Sequence, residues 1–163
     1  TSWVLQENWA SWVYSTQYNK MPGNAIHFSL INKEKEIVHI DTSSINVYLF
    51  WASYCSNCKK EFPYFEKLAN DYKKRSDINF YTVYLQTEIN DTVTFNHYAK
   101  INTQVTWTIA ENSKEIQTNL LTDGVPFITI IGFENKILYN GCVNNRPWIF
   151  VKRPSNYFPK AIL

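Results

Sequence analysis

The run Ile45-Asn-Val-Tyr-Leu-Phe-Trp51, followed after three residues by Cys55-Ser-Asn-Cys58, limits the possible folds of this chain more than any other stretch. The run is short, β-branched and aromatic, and reads as a strand buried on both faces, which belongs inside a sheet and not at its rim. Beyond Cys55, the residues Phe62, Phe65, Leu68, Ala69 and Tyr72 recur at helical spacing with Lys and Glu opposite, so a helix is predicted to about Lys74, kinked at Pro63. The two cysteines therefore stand where a buried strand hands over to a helix. A thiol there meets unpaired backbone N–H groups and the positive end of the helix dipole, which favour thiolate and can lower its pKa from about 8.5 to roughly 3.5–7.5. Cys55 is the predicted nucleophile. Two intervening residues put Cys58 almost one turn deeper, within disulfide reach of Cys55 and turned toward the protein, so that it can resolve a mixed disulfide.

Around this junction the pattern alternates. Ile78 to Leu85 is a second apolar strand, and with the helix before it completes a βαβ unit of right-handed crossover. A helix is predicted from Asp91 to Ile101 with Asp91 near its N-cap, then a strand around Val105 to Ala110 and a short helix around Lys114 to Leu121. Val125 to Ile131 and Lys136 to Tyr139, joined by Gly132-Phe-Glu-Asn135, read as an antiparallel hairpin. Upstream, Ala25 to Leu30 and Ile37 to Ile40 alternate apolar with polar on either side of Asn32-Lys33-Glu34-Lys35, and are predicted to pair with each other; Asp41 to Ser44 supplies a turn. At the ends, Trp3 to Tyr18 suits an amphipathic helix stopped by Met21-Pro22-Gly23, and the aromatic tail from Asn145 a final helix broken by Pro154.

With 163 residues, 45% hydrophobic and 17% aromatic, the chain suits one compact domain. A formal charge of +2, with basic residues scattered among acids, gives no electrostatic reason for a nucleic-acid partner or an anionic membrane. The longest apolar run, Val125 to Phe133, is interrupted by Pro126 and Gly132 and is far short of the roughly 20 residues of a spanning helix. The chain opens at Thr1 without the basic-then-apolar order of a signal peptide, and reads as the product of a precursor with a removed signal or membrane anchor. Three cysteines are too few for a disulfide-stapled scaffold, and Cys142, with no close partner in sequence, is expected to be a half-buried strand-end thiol, with a regulatory or intermolecular thiol as the alternative.

The β/α alternation, the Cys-x-x-Cys at the end of the first buried strand and Gly124-Val125-Pro126 roughly 70 residues later together resemble the thioredoxin fold. More closely, the chain resembles the TlpA/ResA branch of membrane-tethered, extracytoplasmic thiol–disulfide oxidoreductases. The residues that carry the match are Phe50-Trp51-Ala-Ser, the Cys55-x-x-Cys58-x-x-Glu61-x-Pro63 core, Gly124-Val-Pro126-Phe-Ile and the strand pair ending at Gly141. The resemblance implies a three-layer α/β fold, a central mixed sheet flanked by helices, as a single domain over 1–163: an N-terminal helical extension (1–23), a family-like core (25–143) that includes the hairpin, and a tail (144–163). It implies that Pro126 is cis beside the cysteines and that Val125 pairs with substrate like an added strand. It also implies that Trp51 and Tyr54 help to bind substrate and that Glu61 couples to the cysteine protons. Leu49 stands where thioredoxins proper have a buried acid, which raises the importance of Glu61; Tyr54 replaces the usual Trp, and Ser56-Asn57 the common Pro-containing pair.

The resemblance makes the chain an enzyme that exchanges its dithiol with protein disulfides, with no cofactor beyond the Cys55–Cys58 couple and no metal. Protein thiols and disulfides are its expected substrates, a membrane protein its electron donor, and a monomer its expected state. It is expected outside the cytoplasm (periplasmic in a bacterium) as a reductant, with cytochrome c maturation as the favoured pathway and a disulfide oxidase or isomerase as the alternative. A zinc site would need a second half that His27, His39, His97 and Cys142 do not supply. A copper-binding assembly chaperone of the same fold usually has three residues between its cysteines, where this chain has two. A peroxiredoxin would have Thr at the position of Ala52.

Overall fold

A computed structural model describes residues 27–85, 92–120, 124–132 and 137–142. Six strands and three helices succeed one another over these residues: β1 (Leu30–Ile31), β2 (Ile45–Trp51), α1 (Ser56–Asp71), β3 (Ile78–Leu85), α2 (Thr92–Ile101), β4 (Thr106–Ala110), α3 (Ser113–Asn119), β5 (Phe127–Ile131) and β6 (Ile137–Cys142). The strands form one mixed sheet in the order β1-β4-β3-β2-β5-β6. Parallel pairing of β2 with β3 and of β3 with β4 follows from the helices that connect them, while β5 and β6 add antiparallel neighbours through a short connection. The fold is the three-layer α/β arrangement expected.

β2 is buried at all seven positions because both faces of the sheet are covered. Val47, Leu49 and Trp51 point to one side and share a core with Phe62, Phe65 and Leu68 of α1 and Phe95 of α2. Tyr48 and Phe50 point to the other, where Ile116 of α3, Leu120 and Leu30 close over them. The period of two along β2 thus meets helices on both sides. Asn46, a polar residue in this apolar strand, is satisfied by donating to the Asp41 carbonyl at 2.9 Å, which ties the strand to the turn before it. That turn is held by Asp41, whose carboxylate accepts from the Ser43 amide at 2.9 Å and the Ser44 hydroxyl at 2.8 Å. These bonds, with the Ser43 hydroxyl's, hold the Asp41 pKa below its ordinary value.

The first predicted strand pair differs from the structure. Leu30 and Ile31 form their ladder with Ala110 and Ile109 of β4, and only a single bridge, Ile31 to Ile37, joins them to the segment expected as their partner. The alternation marked a strand correctly, but its ladder is with β4, whose other edge is held by β3. α1 ends at Asp71, three residues before Lys74, and continues through Pro63. Among the described residues no helix is long and apolar enough to cross a membrane. The predicted N-terminal and C-terminal helices, the Asp91 cap and the 133–136 connection lie outside the described residues.

Candidate active site

Strand β2 delivers the chain to the C-terminal end of the sheet, and a turn in which the Cys55 amide donates to the Ala52 carbonyl at 3.1 Å starts the next helix. Cys55 is the N-cap of α1, with extended backbone, and its Sγ accepts a hydrogen bond from the Cys58 amide at 3.1 Å. A sulfur takes the place that a Ser or Asp oxygen usually fills, so one of the helix's unpaired donors points at the predicted nucleophile. Cys55 and Cys58 are joined in a disulfide with their Cα atoms 5.3 Å apart. Cys55 keeps 8% of its surface open and Cys58 none. Of the two, Cys55 alone retains surface that an incoming group could meet.

The register of β5 against β2 pairs Phe127 with Phe50, so Pro126 stands level with Trp51, at the end of the sheet that carries the disulfide. The Val125–Pro126 bond is cis. Val125 is half-buried and packs against the core that contains both cysteines. Tyr54, directly before Cys55, is exposed.

Trp51 is different. Expected as a substrate contact, it is fully buried, with Phe62, Tyr84 and Trp107 rings at 5.0, 4.8 and 5.8 Å between centroids. Aromatic side chains from three other elements converge on it, so the structure gives Trp51 to the floor of the site and not to its docking face.

Glu61 follows Cys58 by three residues and is half-buried on α1, while Leu49 is fully buried in the same core as the two cysteines. Burial raises the Glu61 pKa above its ordinary value, because its anion loses water. The sign of the consequence is fixed. The neutral carboxyl favours the fold fully below the ordinary carboxylate pKa, and that contribution is lost as pH rises through the raised folded value. Glu61→Gln should therefore be no less stable than the wild type at neutral pH and should flatten this part of the stability profile, as denaturation at a series of pH values would record. A Gln variant less stable at pH 7 would mean that the carboxylate makes a favourable contact in its ionised form.

Two contacts at the site had no signal in sequence. The Tyr84 hydroxyl of β3 donates to Ser53 Oγ at 3.3 Å, fastening the turn before Cys55 to the neighbouring strand. On α1, Glu66 accepts from the Gln104 amide at 2.7 Å and so pins the helix to the loop before β4. Ser53 lies inside a recognisable motif; Tyr84, Glu66 and Gln104 do not, because such pairings join residues about 30 to 40 positions apart.

A family model described as thioredoxin-like matches residues 43–137, which take in the whole of β2 to β5 with both cysteines and Pro126. The chain belongs to the thioredoxin-like family. Solved structures similar to this thioredoxin-like chain include a thiol:disulfide interchange protein from Bacteroides sp., with 18% identity and a TM-score of 0.68 over 85% of this chain and 93% of that one. StoA from Bacillus subtilis is similar at 21% identity and a TM-score of 0.57, over 73% of this chain and 89% of that one. A thio-disulfide isomerase from Thermus thermophilus gives 20% and 0.61, over 83% and 96%. At these identities the likeness is one of fold, and it agrees with the TlpA/ResA-like resemblance. No curated protein matches the chain in sequence.

Proposed function

We propose that this thioredoxin-like chain is a protein thiol–disulfide oxidoreductase in which Cys55 attacks and Cys58 resolves. The observation that carries the reading is the N-cap position of Cys55, with the Cys58 amide on its sulfur and the only accessible surface of the pair. In the reduced protein the Cys55 thiolate attacks one sulfur of a substrate disulfide. A bond forms between Cys55 Sγ and that sulfur, and the other substrate sulfur leaves as a thiolate and takes a proton from solvent. Cys58 then loses its proton, in this reading to Glu61 three residues along α1, and attacks Cys55 Sγ. The second substrate sulfur leaves, the enzyme ends as the Cys55–Cys58 disulfide, and the substrate has gained two electrons and two protons. Val125 and Pro126 line the place where the substrate backbone lies, and Tyr54 covers it from the helix side. The unit is the 1–163 domain acting as a monomer, with no cofactor beyond its own disulfide.

In the cell the proposal is a reductant outside the cytoplasm, recharged by a membrane donor and serving cytochrome c maturation; the TlpA/ResA resemblance supports this direction. The deciding experiment is the equilibrium reduction potential of the Cys55/Cys58 couple in a glutathione or dithiol buffer. A value near or below about −270 mV, as for thioredoxin, fits a reductant, whereas one near about −120 to −180 mV would transfer the protein to the oxidase or isomerase class. For Glu61, exchange with a small-molecule disulfide followed by stopped flow across pH should be slower in Glu61→Gln, on the order of ten- to a hundredfold, with an altered profile. That is the low end for an acid–base group, since thiolates exchange unaided. Superimposable profiles would remove Glu61 from the site.

A further inference from the structure

The disulfide end of α1 carries charge that the exchange chemistry does not use. Lys59 lies four residues after Cys55, its amide donating to the Cys55 carbonyl at 3.4 Å, and is half-buried one turn along the same helical side. Lys60 follows and is exposed. The first turn of α1 contains no acid. The ion pairs formed among the described residues are Lys33–Glu34, Lys67–Asp71 and Arg75–Asp77, none of which involves Lys59 or Lys60. Lys59 and Lys60 outnumber Glu61, the one acid in the first two turns of α1, and the helix dipole adds to the same sign. Glu61 is half-buried, and burial works against its anion. Asp41 and Asp77 bond the opposite end of the sheet, where β2 and β3 begin, about 20 Å from the disulfide along a seven-residue strand. Gly124, Val125 and Pro126 bring no side-chain charge; Asp123 directly before them in sequence, and Glu88 and Asp91 after β3, lie outside the described residues.

We propose that Lys59 and Lys60 make the site selective for partner disulfides whose cysteines are flanked by acidic residues. The inference rests on the exchange reading above and names the substrate class for it. A carboxylate one or two residues from the partner's cysteine is carried toward this end of α1 once its sulfur meets Cys55, and its attraction to the lysines, which reaches roughly 10 Å at about 0.1 M salt, extends farther at low salt and is screened above it. Lysines on a helix are commonly no more than a solvated face, and the two cases differ in rate.

The test uses the full reduced chain and three symmetric disulfides of blocked tripeptides, with glutamate, glutamine or lysine on both sides of the cysteine. The readout is the ratio of the second-order rate constants for the acidic and basic peptides. Lys59→Gln/Lys60→Gln should lower this ratio at least about fivefold at low salt, and raising the salt should lower the wild-type ratio in the same direction. Lys67→Gln, farther along α1, is the control and should track the wild type. If the double variant keeps the wild-type ratio while the glutamine peptide still reacts, selectivity by these lysines is overturned and the exchange reading stands. An equal shift in Lys67→Gln would also overturn it, since the effect would then be one of net charge. No exchange with any peptide would remove both readings together.

Discussion

Cys58→Ser is expected to leave the protein covalently caught on its substrates, while Cys55→Ser abolishes exchange altogether. The asymmetry follows from accessibility and hydrogen bonding. Cys55 keeps the accessible surface of the pair and its sulfur accepts from the Cys58 amide, whereas Cys58 is enclosed and, in the proposed mechanism, acts only on a sulfur already delivered to Cys55. Without Cys58 the first displacement still proceeds and the second cannot, so mixed disulfides accumulate and can be resolved on non-reducing gels. Alkylation of the reduced wild type over pH should show Cys55 modified first, with a pKa below the ordinary value of about 8.5. Preferential labelling of Cys58, or mixed disulfides trapped by Cys55→Ser instead, would reverse the two roles.

Trp51→Ala should cost about 3–5 kcal/mol of stability, the range for removing a large aromatic side chain from a packed core. The Trp51 ring touches Phe62 of α1, Tyr84 of β3 and Trp107 of β4, and so links the strand that carries the cysteines to the helix that starts with them. Its indole Nε1 is buried and finds no acceptor among the described residues. Trp51→Phe consequently discards an unsatisfied donor along with some apolar area, and is expected to lose less than half as much. Denaturant titrations with unchanged m-values would measure both. If Trp51→Ala keeps its stability but raises the KM for protein substrates, the residue belongs to the docking face after all.

The elements legible in sequence were those whose pattern owes nothing to distant partners. Ile45–Trp51 and Ile78–Leu85 fall where they were predicted, because a strand covered on both faces is apolar at nearly every position whatever lies next to it. The helix after Cys55 was equally plain, since Phe62, Phe65 and Leu68 trace one face. Pairing was harder to read. Leu30–Ile31 could be identified as strand, but its preference for β4 over the nearby Ile37 segment depends on a strand about 80 residues away. The same holds within the site: Cys58 and Glu61 share one helix, which Cys55 caps, and their placement follows from its start and period, while the burial of Trp51 depends on rings supplied by α1, β3 and β4 together. An aromatic residue near a reactive pair looks the same in sequence whether it forms the wall or the floor.

β2 lies between β3 and β5, two of the four innermost strands, with every side chain enclosed. Amides in such a strand exchange their hydrogens only when the whole domain opens, whereas the two-residue β1 at the sheet's margin can fray alone. The reactive pair is thus suspended from the last part of the molecule to let go. Partial loosening at the margins leaves the sulfurs in place, and loss of activity in denaturant should coincide with global unfolding and not precede it.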